Sequence, residues 1–142
     1  MTAAFVLDCS ATMPWIFHDE ATKATVRLQD DVTAGAEAWV PALWHLELAN
    51  VLLTAQKRGR IDRAGIESAL SKLGAYHITI DGETMTQAWN KTLDLALQYK
   101  LTTYDAAYLE LALRRNLPLA TLDDALIEAA KAAGVSLVLP AK

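Results

Sequence analysis

Short apolar runs alternate with longer stretches of helical spacing along this chain, and that alternation admits few folds. The runs are Ala3 to Leu7, Trp39-Val40, His77 to Ile80, Leu119-Ala120 and Val135 to Leu139, each flanked by turn or polar residues. Between them, apolar periodicity predicts helices over 20–33, 42–58, 62–73, 83–99, 104–115 and 124–133. Gly59, Gly74, Asn116 with Pro118, and Gly134 punctuate the ends of four of these helices. Strands this short and this uniformly apolar need cover on both faces. The expected class is therefore α/β, a mostly parallel sheet of about five short strands covered by helices on both faces. Such sheets bind ligands beyond the carboxyl ends of their strands, so chemistry is expected where the runs end.

The 142 residues suit one domain spanning 1–142, large enough for a core without disulfides, and no repeat or Gly/Ser/Pro-rich linker divides them. Hydrophobic residues make up 53% and charged residues 21%, which excludes a disordered chain. A single cysteine, Cys9, excludes an internal disulfide framework and a cysteine-based zinc site. The amino-terminal residues lack the basic segment of a secretory signal, and no apolar run approaches the roughly 20 residues of a membrane span. The expectation is a cytoplasmic protein with no membrane association. A net charge of −4 argues against a general nucleic-acid coat, so any nucleic-acid role must be local or metal-mediated.

Four acidic residues stand at or near the expected site edge. Asp8 ends the first apolar run and Asp123 follows Leu119-Ala120-Thr121-Leu122; each also reads as a cap for the helix after it. Glu47 lies inside a helix with Leu43, Trp44 and Val51 on its face and Asn50 at i+3, so either that face turns to solvent or something compensates the charge. Asp105 opens another helix, where Thr102 three residues earlier also reads as a capping-box variant. Two carboxylates about 5 Å apart at an effective dielectric of about 20 repel by roughly 3 kcal/mol, so a cluster of four implies a cation. Oxygen-only ligands select hard ions, which points to Mg²⁺ or Mn²⁺.

At these residues the chain resembles the PIN-domain family, and within it the VapC-type ribonuclease toxins of type II toxin–antitoxin pairs. The resemblance runs nearly end to end through Val6-Leu7-Asp8-Cys9-Ser10, Glu47-Leu48-Ala49-Asn50-Val51-Leu52, Thr103-Tyr104-Asp105-Ala106-Ala107-Tyr108-Leu109 and Leu119-Ala120-Thr121-Leu122-Asp123. It implies that Asp8, Glu47, Asp105 and Asp123 are the catalytic, metal-holding acids. Ser10, Asn50 and Thr121 would be polar supports near the substrate. It also implies a metal-dependent endoribonuclease acting on RNA, a small cognate antitoxin protein as partner, and a homodimer.

The other signals are weaker. Lys57, Arg58, Arg60 and Arg63 crowd within seven positions and read either as a solvated helix end or as a phosphate-gripping edge. His18, His45 and His77 are scattered and are not expected to bind metal. Trp15, Trp39, Trp44 and Trp89 read as core or interface anchors. Two rival functions remain open. Asp8-x-Ser10-x-Thr12 with Asp123-Asp124 loosely imitates a haloacid-dehalogenase-like phosphatase, although Ser10 stands where its second acid would be. A non-catalytic metal-binding interaction module would share the same fold.

Overall fold

The computed structural model of the chain describes residues 2–140. Its sheet contains β1 (Ala4–Leu7), β2 (Glu37–Val40), β3 (Ile78–Ile80) and β4 (Leu119–Ala120), parallel throughout and ordered β3-β2-β1-β4. Phe5, Val6 and Leu7 are all fully buried although neighbouring strand residues point to opposite faces, so both faces of β1 are covered. The sheet has four strands among the described residues, not the expected five. Val135 to Leu139 contributes only a single parallel bridge, Leu137 to Leu119, with hydrogen bonds from Leu119 N to Ser136 O and from Val138 N to Leu119 O. The ladder stops there because β4 is two residues long and is bounded by Pro118, while Pro140 has no N–H with which to continue.

The helices are α1 (Cys9–Ile16), α2 (Lys23–Thr33), α3 (Trp44–Lys57), α4 (Arg63–Gly74), α5 (Thr84–Gln87), α6 (Leu93–Tyr99), α7 (Thr103–Arg115) and α8 (Asp124–Ala133). Helix α1 has no counterpart in the periodicity. Six of its eight residues are buried and Pro14 lies inside it, so it carries neither an amphipathic stripe nor a helix-forming composition. Helix α2 begins at Lys23 rather than at 20, because Thr22 and Thr25 close a reciprocal capping box there, behind a 3₁₀ turn at His18–Glu20.

The expected continuous helix over 83–99 is broken. Asn90 leaves helical geometry at φ −113° and ψ −106°, inside the segment Ala88–Thr92 that joins α5 to α6. Its side-chain Nδ2 donates to Thr86 O at 3.1 Å, the carbonyl that its own N–H would use in a regular helix.

Trp15 and Trp44 are in the core with Phe5, Leu7, Leu52, Leu109 and Leu126, whereas Trp39 is half-buried beneath the Arg115 guanidinium and Trp89 is 90% exposed. The end of β3 is tied to α7 by charge: Arg114 Nη2 lies 2.6 Å from Asp81 Oδ2, its Nε 2.8 Å from Glu110 Oε2 and its Nη1 3.1 Å from Glu83. Burial works to raise the Asp81 carboxyl, but the Arg114 guanidinium outweighs it and holds the group below the usual carboxylate range. The basic cluster after α3 is partly neutralised, since Arg60 pairs with Asp19 and Glu20 and Arg63 pairs with Glu67. Among the described residues no helix is long and apolar enough to cross a membrane.

Candidate active site

Asp8 directly follows β1 and takes the N-cap position of α1, yet its carboxylate makes no capping bond. Its Oδ2 instead accepts from the Ser10 hydroxyl at 2.6 Å and the Thr121 hydroxyl at 2.7 Å. Each hydroxyl is itself fixed from behind. Leu122 N donates to Ser10 Oγ at 2.9 Å and Asp123 N donates to Thr121 Oγ1 at 3.1 Å. With its one proton committed to Asp8, each hydroxyl receives a backbone N–H in return, so both act as donor and acceptor. The parallel pairing of β1 with β4, Leu7 opposite Ala120, brings the two ends together. Asp8 is 5% exposed, and burial, only partly offset by these hydrogen bonds, raises its carboxyl above the usual range.

Asp123 is the N-cap of α8, its Oδ2 accepting from Leu126 N at 2.9 Å, so the capping role read from sequence is real and occupies one of its oxygens. Asp124 is exposed in the first turn of α8. Asp105 sits in the first turn of α7, where Thr102 caps its backbone N–H at 3.1 Å. Burial, then the charges of Asp123 and Asp8, push the Asp105 carboxyl up to about 6. Glu47 is half-buried on α3, and the phenol of fully buried Tyr108 on α7 donates to its Oε1. Burial, then the charges of Asp8 and Asp105, raise Glu47, with the Tyr108 bond acting in the opposite direction. Glu47 therefore faces inward rather than lying on a solvated face.

Asp8 and Asp105 thus feel the charge of Asp123, and Glu47 that of Asp8 and Asp105, and among the described residues no lysine, arginine or histidine forms an ion pair with any of the four. Ser10 and Thr121 are brought into this group. Asn50 is exposed on α3, and no hydrogen bond links it to the acids among the described residues. Neighbouring Cys9 is buried, its thiol pushed up to about 12 by burial and by the charges of Asp8 and Glu47, so it stays protonated. Among the described residues no three His, Cys, Asp or Glu side chains form a ready-made chelating cage. The residue that sequence reading passed over is Tyr108. Its signal was its place three residues after Asp105, on the same helical face.

The fold is shared with solved structures. PAE2754 from Pyrobaculum aerophilum is 22% identical, with a TM-score of 0.71 over 97% of this chain and 91% of that one. A toxin–antitoxin complex from Klebsiella pneumoniae is 18% identical, with a TM-score of 0.53 over 84% of this chain and 86% of that one. Comparison with curated protein sequences returns no significant match. The PIN domain family model matches residues 5–132, a span that runs from β1 into α8 and contains all four acids, Ser10, Thr121 and Tyr108. On that match the chain belongs to the PIN domain family.

Proposed function

We propose that the chain is a Mg²⁺- or Mn²⁺-dependent endoribonuclease that cleaves RNA phosphodiester bonds, the VapC-type toxin of a toxin–antitoxin pair. The observation that carries this reading is the buried Asp8 carboxylate at the carboxyl edge of β1, held by two hydroxyls and coupled by charge to further acids, with no basic side chain among the described residues paired to them. Such a group favours a hard divalent cation, because a bound positive charge offsets the desolvation and the repulsion that raise Asp8, Glu47 and Asp105. The donors fit magnesium or manganese. Mg²⁺ keeps several waters and binds through one or two carboxylates plus substrate phosphate, so it does not require a complete protein cage.

Asp8 and Asp105 are the direct ligands in this reading, while Glu47 and Asp123 complete the shell or order water. When bound, the cation supplies charge stabilisation at the phosphodiester and makes a water acidic enough to attack phosphorus in line. The chain's own contribution is positional. Ser10 and Thr121 fix the Asp8 carboxylate, α7 presents Asp105 from its first turn, and a site carboxylate accepts the proton released by the attacking water.

PIN domains are in general nucleases, and this supports phosphodiester cleavage over the phosphatase chemistry of the haloacid-dehalogenase alternative, which would pass through an aspartyl-phosphate on Asp8. The Klebsiella structure, described as a toxin–antitoxin complex, supports a small antitoxin as partner; a homodimer and a cytoplasmic location complete the proposal.

The test is to incubate the purified chain, freed of any bound antitoxin, with a mixed RNA pool in EDTA and then in Mg²⁺ or Mn²⁺, beside Asp8→Asn. Cleavage should require the metal, and Asp8→Asn should lose it by a factor of at least about 100 while unfolding at nearly the wild-type temperature. A variant that still cuts would remove Asp8 from the site.

A further inference from the structure

We propose that Tyr108 is a positioning residue, its hydroxyl holding Glu47 turned into the acidic cluster so that a cation meets a preassembled site. The inference rests on the reading above of Glu47 as part of that cation site. Three observations carry it. Tyr108 is fully buried on α7, so its ring has one packed position and its hydroxyl a defined place. That hydroxyl donates to Glu47 Oε1 across 61 residues of chain, joining α3 to α7, the helix that also presents Asp105. Glu47 is only half-buried, so its long side chain has an exit to water.

Those facts oppose two tendencies. Asp8 and Asp105 repel the Glu47 carboxylate, which would relax outward without a tether. A phenol is protonated at neutral pH and donates without adding charge, so it can hold the carboxylate inward while leaving the cluster's charge for a cation. An arginine there would neutralise the same carboxylate and compete with the metal. The cost of bringing Glu47 into the cluster is then met during folding, and binding does not have to supply it.

The experiment measures Mn²⁺ affinity by calorimetry for the wild-type chain, Tyr108→Phe, Glu47→Ala and the double variant, with thermal unfolding of each. Tyr108→Phe should weaken Mn²⁺ binding about 10-fold or more with an unfolding temperature close to wild type, the scale on which outer-shell hydrogen bonds act on metal sites. In the Glu47→Ala background the same change should leave affinity unaltered, since a tether with nothing to hold has no effect. Equal Mn²⁺ affinity of Tyr108→Phe and wild type overturns the inference. So does an undiminished effect in the Glu47→Ala background, or a Tyr108→Phe chain that fails to fold, either of which would make the hydroxyl a structural bond. A wild-type chain that binds no Mn²⁺ instead removes the metal reading on which the inference stands.

Discussion

At the residue scale, Asp8 and Asp123 occupy the same kind of position, the N-cap after a strand, and use it differently. Asp123 caps α8, whereas Asp8 is diverted by Ser10 and Thr121. The difference is only half visible in the one-dimensional pattern, because Ser10 lies two residues from Asp8 but Thr121 arrives from 113 residues away. Asp105 shows the electrostatic cost of assembling these acids. Its carboxyl is raised to about 6, so the folded chain holds its proton more tightly than the unfolded chain does. Stability therefore falls as pH rises from about 3.8 through about 6, and the penalty is fully present above that window. Asp105→Asn should raise the unfolding free energy by about 1 kcal/mol at pH 7.5 in EDTA, less than the full shift implies because the group is partly open to water. The gain should vanish at pH 3.5. Urea unfolding at the two pH values checks this, and an equal gain at both would assign the effect to something other than charge.

At the scale of elements, the parallel strands and most helices were legible because burial on both faces writes itself as short apolar runs, and because caps such as Thr102 and Asp62 act within four residues. The misses have local causes that composition conceals. Helix α1 is too buried to show a stripe, the Asn90 side chain competes for the Thr86 carbonyl, and the last apolar run lacks a long enough neighbour to become a strand. In the site, the acids stood out by their places at strand ends and helix starts, whereas the place of Tyr108 beside Asp105 on one helical face did not say that it meets Glu47, since the meeting of α3 with α7 is a product of packing. The link between β3 and α7 through Arg114 was equally hidden. Asp81 and Glu110 are both nearly inaccessible to water, so Arg114→Ala would leave two buried carboxylates without their partner. It should lower the unfolding free energy by about 3 kcal/mol at pH 7, with part of the loss recovered at lower pH, because without the guanidinium burial raises Asp81 and favours its protonated form. A loss below about 1 kcal/mol would show that water or another group takes the arginine's place.

At the scale of the whole molecule, one surface stands out. Met85, Trp89, Leu93 and Leu97 follow at intervals of four across the break at Asn90, and Met85, Trp89 and Leu97 are 82%, 90% and 73% exposed. Contiguous exposed apolar side chains of this kind mark candidate protein–protein interaction sites. The proposed homodimer is assigned to this face. Trp89→Ser should shift the chain from dimer to monomer in sedimentation equilibrium at micromolar concentration while leaving its unfolding temperature within a few degrees. Unchanged mass would move the pairing elsewhere or remove it.

The pairing of β1 with β4 has a consequence in time. Asp8 is made early, but one of the two hydroxyls that fix it belongs to Thr121, and on that side of β1 Val6 and Leu7 pair with Leu119 and Ala120. Until translation has passed these residues, Asp8 lacks half its support and Asp123 does not exist. The site thus closes only when the β4 segment and the residues after it join β1, so a nascent chain that stops short of Thr121 holds Asp8 without its second hydroxyl and without Asp123 beside it.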